Sequence, residues 1–431
     1  MRRLTTKDAG FEKELRALLQ RDEEAVRGIS DSVRTIVDDV RTRGDAALVE
    51  LTQRFDQTDL SGGLAVTEAE IDAAIADCSK EALDALEVAA QRIEAYHEQQ
   101  RPEDKQWADE LGITLGWRWT ALDAVGLYVP GGTAAYPSSV LMNAIPARVA
   151  GVERIVIVTP AKDGALNPLV LAAAKRAGVT EIYKIGGAQA VAALTFGTET
   201  IKPVDKIVGP GNAYVAEAKR QVFGHVGIDS IAGPSEITVI ADEASDPVQI
   251  AADLLSQSEH DALSQSILLT PSASLATSVE GEVNRQLTDH PRRDIAKKAW
   301  DEQGVIIVTQ DLADAAAASN IIAPEHLELV VDDPEALLPL IKHAGAVFLG
   351  RHTPEAIGDY VGGPSHVLPT SRSARFSSGL SILDFVKRMS VTGCPETGFR
   401  EIGPAAATLA DIEGLPSHAA SVTLRLGPQK D

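Results

Sequence analysis

Cysteine is scarce in this chain of 431 residues: there are two, Cys78 and Cys394, far apart and in no paired pattern. A disulfide framework is therefore not expected. Blocks of Lys and Arg are absent too, and 40 basic residues stand against 62 acidic ones for a net charge of −22. Nucleic acid and anionic membranes both need clustered positive charge, so neither is expected as a partner. No apolar run reaches the roughly 20 residues of a membrane span. The opening residues, Met1-Arg2-Arg3-Leu4-Thr5-Thr6, lack the apolar core of a secretory signal. Low-complexity tracts and visible sequence repeats are also missing. A soluble, cytoplasmic protein is the expectation.

What is present is a 44% hydrophobic composition, enough for a sizeable core. The length exceeds one compact core, so two or three domains are expected. Residues 8–101 read as helical, with apolar residues near the helical period at Val33, Ile36, Val37 and Val40. Thr67 with Glu70 three residues on is a capping-box pattern, and Pro102 stops a long helix that begins at Lys80. From Ile113 the texture changes. Ile113–Trp119 reads as a strand, and short apolar strands then alternate with helices: Ala124–Val129, Arg154–Val158, Glu181–Ile185, Lys206–Val208, Glu236–Ala241, Ser266–Thr270, Val305–Thr309, Leu327–Val331 and Ala346–Leu349. Such alternation means βαβ units and parallel sheets, here too many for one small sheet. The last fifty or so residues are expected to return to helix and loop.

Several strand ends are rich in glycine. Lys206-Ile207-Val208 leads into Gly209-Pro210-Gly211-Asn212 and then a helix, about half of a dinucleotide fingerprint; Tyr214 sits where the third glycine would be. Ile185-Gly186-Gly187-Ala188-Gln189 and Tyr128 to Gly132 are similar turns. Such loops let phosphates approach N–H groups at helix N-termini, but each is also an ordinary βα turn. The run Leu254-Leu255-Ser256-Gln257-Ser258-Glu259-His260 closes a helix. Its Gln257 and His260 are three residues apart and so share a face. A solvated cap is the ordinary alternative to a metal grip. Glu325-His326 pairs a carboxylate with an imidazole, the raw material of proton transfer. Asp359, in a glycine-rich stretch ending at His366, and Glu413 with His418 add hard-oxygen and imidazole donors. Gln257, His260, Asp359 and His418 would make a mixed N/O set suited to Zn²⁺, and acceptable to Mn²⁺ or Co²⁺. Ser235, in Ala232-Gly233-Pro234-Ser235-Glu236, either contacts substrate or forms a turn. On these residues alone three functions stay open: a dehydrogenase, a zinc-dependent hydrolase with Glu325 as base, and a two-lobed binding protein for a small amine.

Seven stretches in order resemble the histidinol dehydrogenase family. They are Gly-Leu-Tyr-Val-Pro-Gly-Gly at 126–132, Gly-Gly-Ala-Gln-Ala at 186–190, Gly-Pro-Gly-Asn-Ala at 209–213, Ala-Gly-Pro-Ser-Glu at 232–236, Leu-Leu-Ser-Gln-Ser-Glu-His at 254–260, Pro-Glu-His-Leu at 324–327 and His-Val-Leu-Pro-Thr at 366–370. The resemblance implies an α/β fold of two Rossmann-like parallel-sheet domains with helical N-terminal and C-terminal extensions. It implies a helical arm over 1–23, a discontinuous α/β domain over 24–127 plus 237–380, an NAD domain inserted at 128–236, and a tail over 381–431 that reaches the dimer partner's site. It further implies oxidation of L-histidinol to L-histidine through the aldehyde, with two NAD⁺ and one Zn²⁺ per subunit, in a homodimer with shared sites. Carried over by position, Gln257, His260, Asp359 and His418 would ligate the metal, the last from the partner. Glu325 and His326 would be the general bases. Tyr128, Gln189 and Asn212 would contact NAD⁺. Ser235, Gln257, His260, His326, Asp359, Glu413 and His418 would hold the substrate.

Overall fold

The structure is a computed structural model that describes residues 1–19, 24–60, 62–131, 136–161, 164–231 and 233–427. Its strands, in chain order, are β1 (Arg2–Thr5), β2 (Lys105–Ala108), β3 (Thr114–Ala121), β4 (Ala124–Tyr128), β5 (Arg154–Val158), β6 (Glu181–Tyr183), β7 (Lys206–Val208), β8 (Gly227–Ile228), β9 (Glu236–Ala241), β10 (Gln265–Thr270), β11 (Val305–Val308), β12 (His326–Val330), β13 (Ala346–Leu349) and β14 (Val386–Gly393). Contacts divide the chain into two compact units: Met1–Gln100 with Leu122–Phe385, and Arg101–Ala121 with Val386–Asp431.

The first unit holds two all-parallel sheets. One has five strands in the order β6-β5-β4-β7-β8, the other six in the order β1-β11-β10-β9-β12-β13. Both are wound alike. In each, the edge strand β1 apart, the chain starts at a central strand, steps outward twice, then returns to the other side of that strand. This common order does not show as a sequence repeat, because winding constrains only where apolar runs fall. The strands behave as doubly covered strands must: every residue of β4, β9, β10 and β12 is buried. Helices cover both faces, and the expected boundaries hold where capping chemistry is explicit. Thr67 and Glu70 form the capping box that opens the helix Glu68–Ala76. The helix from Lys80 ends at Glu98, short of Pro102. No described helix is long and apolar enough to cross a membrane, and both cysteines are free.

Four strands lie outside the sequence expectation, β1, β2, β8 and β14, and two of these fall where helix or loop is expected. The first residues, expected to be part of a helical arm, form β1, which pairs in parallel with β11 from Arg2 opposite Val305 to Thr5 opposite Val308. Arg-Arg-Leu-Thr carries no apolar alternation, and only the vacant edge of a sheet some 300 residues on in sequence makes it a strand. In the second unit, β14 lies where helix and loop are expected and pairs antiparallel with β3, itself paired with β2. Its exposed Arg388 packs over the rings of Trp117 and Trp119, each 5.9 Å from the ring centroid. The unit is completed by the helices Glu396–Ile412 and Pro416–Leu426, packed as a hairpin.

Candidate active site

The five-stranded sheet reverses its winding between β4 and β7, and the carboxyl ends of those strands are where such sheets take ligands. Tyr128 ends β4. Its buried hydroxyl accepts the Gly187 N–H at 3.0 Å, which draws in the turn after β6, and burial pushes its pKa up to about 12, so it stays protonated. Gly209 follows β7 with φ +108°, and a β-carbon there would strike the Tyr128 carbonyl oxygen. Only glycine fits such a position. Asn212 then caps the helix Ala213–Val222: its Oδ1 accepts the N–H groups of Tyr214 (3.0 Å) and Val215 (3.1 Å). Such a cap stabilises by about 1 kcal/mol. Gln189 is buried in the first turn of the helix Gly187–Phe196. Tyr128, Gly187, Gln189 and Gly209 are thus linked around one end of this sheet; Gly132, Thr133 and Ala232 lie outside the described residues.

The second group of expected residues gathers at the opposite pole of the other sheet, at the amino ends of its strands. Glu236 opens β9, and Glu325 with His326 opens β12, its neighbour. The Glu236 N–H donates to Glu325 Oε2 (2.9 Å), and the Glu236 carbonyl accepts from His326 Nδ1 (3.0 Å). Gln257, in the last turn of the helix Pro247–Ser258, is fully buried. With its amide oriented to satisfy both neighbours, its nitrogen donates to Glu355 Oε1 (2.9 Å) and its oxygen accepts from Glu236 N (2.8 Å). Glu355 begins the helix Glu355–Tyr360, where the i,i+4 spacing places Asp359 one turn on.

This arrangement sets the state of His326. Its Nδ1 faces only acceptors, the Glu236 carbonyl and Glu355 Oε1 at 3.3 Å, so Nδ1 carries the proton. The lone pair is left on Nε2, which is buried without a hydrogen-bond partner and lies 3.8 Å from Asp359 Oδ1. Burial lowers the pKa of His326, with the Asp359 charge opposing, so the ring is neutral and basic near pH 7. His366 is also held down by burial. Its Nδ1 donates to the Asp359 carbonyl (3.0 Å), and its Nε2 lies 3.2 Å from Ser139 Oγ. Behind these rings lie carboxyls. Burial raises Glu355 and Glu328 well above the ordinary carboxylate range, and raises Asp253 to about 6.

Ligand atoms of His326, Glu355 and Asp359 lie within 4.8 Å of one another, a mixed N/O set that suits a divalent ion such as Zn²⁺. Of the four expected ligands, Asp359 is in this set and Gln257 is bonded to it. His260, just past its helix, is exposed, yet near enough for its charge to bear on His326 and His366. Ser235 immediately precedes β9, with its carbonyl on the Gln265 N–H at 3.0 Å. Glu413 and His418 belong to the second unit, where both are exposed at the turn between its two helices. Sequence reasoning passed over Glu355, Glu328 and Asp253. The signal for Glu355 was its i,i+4 spacing to Asp359; nothing local marks the other two.

Their protonation carries a consequence. Above the ordinary carboxylate pKa of about 4.3 the unfolded chain releases protons that folded Glu328 retains, so stability falls as pH rises from there toward the raised value. Glu328→Gln keeps the oxygen that accepts the Glu355 N–H (2.6 Å) and removes the charge. Its Tm should exceed that of the parent at pH 8, with a smaller difference at pH 5. A pH-independent difference in thermal melts would refute this.

A profile of the histidinol dehydrogenase family matches residues 19–426. The histidinol dehydrogenase of Rhodopseudomonas palustris is 60% identical over 425 residues, 98% of this chain and 99% of that protein. The one from Rhizobium meliloti is also 60% identical, covering 98% of each. The crystal structure of histidinol dehydrogenase from Elizabethkingia anophelis aligns with a TM-score of 0.93 at 38% identity, over 99% of this chain and 98% of the other. With that fold, those motifs and those relatives, the chain belongs to the histidinol dehydrogenase family.

Proposed function

We propose that the protein oxidises L-histidinol to L-histidine through the aldehyde, in two successive hydride transfers to NAD⁺, as the closing steps of histidine biosynthesis. The observation that carries this reading is the buried, neutral His326, with Nδ1 occupied by acceptors and Nε2 open beside Asp359. An alcohol loses hydride from carbon only as its O–H proton is taken, and Nε2 is placed as that base. The aldehyde must then gain an oxygen from water. Glu325, held by the Glu236 N–H, is the base for that water. A second hydride leaves the hydrated carbon, and the acid results. NAD⁺ supplies the hydride acceptor in both steps. Tyr128, Gln189 and Asn212 are assigned to hold it.

Zn²⁺, one per subunit, is assigned to Gln257, His260 and Asp359 with His418 of the partner subunit; the His326–Glu355–Asp359 cluster supports a divalent ion at this place. When bound it would supply fixed positive charge for the substrate's imidazole and amine. Ser235 and Glu413 complete the substrate contacts. Fixed placement suits two oxidations of one bound molecule. A homodimer is supported by large apolar side chains left exposed on the second unit's helices, Leu424 at 82%, Ile412 at 76% and Leu409 at 60%. The proposed domains are an N-terminal arm over 1–23, a discontinuous α/β domain over 24–127 plus 237–380, an inserted NAD domain at 128–236 and a tail over 381–431, and the proposed location, in keeping with an NAD⁺-dependent biosynthetic role, is the cytoplasm.

The test is NADH formed per histidinol consumed. About two are expected, lost with a chelator and restored by zinc. One would mean an alcohol dehydrogenase that releases the aldehyde. None, with metal bound, would overturn the reading in favour of a zinc hydrolase or an amine-binding protein.

A further inference from the structure

The turn that ends β7 is held by a buried ion pair. Both backbone polar groups of Gly209 are engaged by side chains. Its N–H donates to Asp229 Oδ2 (2.7 Å), and its carbonyl accepts from Lys219 Nζ (3.0 Å). Lys219 Nζ also donates to Asp229 Oδ1, which accepts the Ser230 N–H at 2.7 Å. Lys219 comes from the helix Ala213–Val222 that the turn itself opens, and Asp229 directly follows β8. Lysine, carboxylate and glycine peptide therefore close a ring.

The two side chains are 3% and 5% exposed. Burying such a pair costs desolvation that mutual attraction does not dependably repay, so the pair is weak evidence for a stabilising role. Its geometry gives it another. The lysine's charge is spent on Asp229 and a carbonyl, away from solvent, so it is no phosphate ligand. What the pair determines is the orientation of the Gly209 peptide. That peptide packs against the end of β4 and leads within three residues to Asn212 and the helix N-terminus. We propose that Lys219 and Asp229 are positioning residues for NAD⁺: their ion pair clamps Gly209 and presets the Gly209–Asn212 turn before the dinucleotide arrives. The inference rests on the reading of this turn as part of the NAD⁺ site. A preset turn needs no ordering on binding, so the clamp acts on affinity for the dinucleotide and not on the chemical steps.

Two variants test it in the full-length, metal-loaded enzyme. Asp229→Asn weakens the ring at constant size, and Lys219→Met with Asp229→Leu removes both charges together. Each should raise the NAD⁺ KM and the NADH Kd about tenfold or more. The kcat at saturating NAD⁺, the histidinol KM and the metal content should stay near those of the parent. A pair that merely stabilised the fold would lower Tm without splitting KM from kcat. A folded double variant with unchanged NADH affinity would overturn the clamp. If neither variant folds, hydrogen exchange on the parent decides: the Gly209 amide must be protected without NADH, and fast exchange slowed only by NADH would overturn the inference. Absence of NADH binding by the parent would instead overturn the NAD⁺ reading of the site, and the clamp with it.

Discussion

Replacing His326 with Asn is expected to lower kcat by about 10²–10⁴-fold, the contribution typical of a positioned general base. The residue is 4% exposed, and its Nε2 is buried with no hydrogen-bond partner. Asn is smaller and its amide can still donate to the Glu236 carbonyl, but it is not a base. The loss should fall on kcat and kcat/KM alike, with NADH affinity and metal content retained. The pH profile gives a second check. Burial lowers the pKa of His326, so its protonated form appears only below the ordinary histidine value of about 6.5, and activity should fall on the acid side below that value. His326→Asn should flatten that limb. If the variant kept the parent's acid limb, another group would be the base.

Glu325→Gln should affect the second oxidation more than the first. Glu325 Oε2 accepts the Glu236 N–H at 2.9 Å and lies 3.8 Å from His326 Nδ1, and the residue is 6% exposed. Gln preserves an acceptor for that N–H, so the local backbone has no reason to move. It cannot take a proton from water, and the aldehyde step should slow by about 10²–10⁴-fold. In single-turnover experiments the first NADH from histidinol should form at near the parent rate and the second should lag. With the aldehyde as substrate the full loss should appear at once. Equal slowing of both steps would remove Glu325 as the base for water and leave it as a support for Glu236.

The two poles of the site differed in how legible they were in the sequence. The turns at Gly186-Gly187 and Gly209-Pro210-Gly211 could be read because glycine at a strand end carries a local backbone meaning, and Gly187 and Gly209 do have positive φ. The Glu325-His326 pair was visible as adjacent acid and base. Its setting was not. Glu236 comes 89 residues before Glu325, and Glu355 comes 29 after His326, yet all four share hydrogen bonds or close charge contacts. The carboxyl-end rule for open sheets located the five-stranded sheet's pole; the six-stranded sheet brings its polar cluster to the amino ends instead. At the reversal of that sheet's own carboxyl ends, Arg351 bridges Asp242 (2.7 Å) and Asp332 (2.8 Å), while the Asp332 N–H donates to Asp242 (2.7 Å).

The alternation of strands and helices, the starts and stops of many helices and, through seven ordered motifs, the family are all legible along the chain. Those properties are written locally, in apolar period, capping residues and glycine. Long-range contacts alone wind the two sheets in the same order, make strands of Arg2–Thr5 and Val386–Gly393, and set Glu355 and Glu236 against His326. The physical reason is the same in each case. Strand order, register and the protonation of a buried ring depend on partners far away in the chain, whose proximity no local pattern encodes.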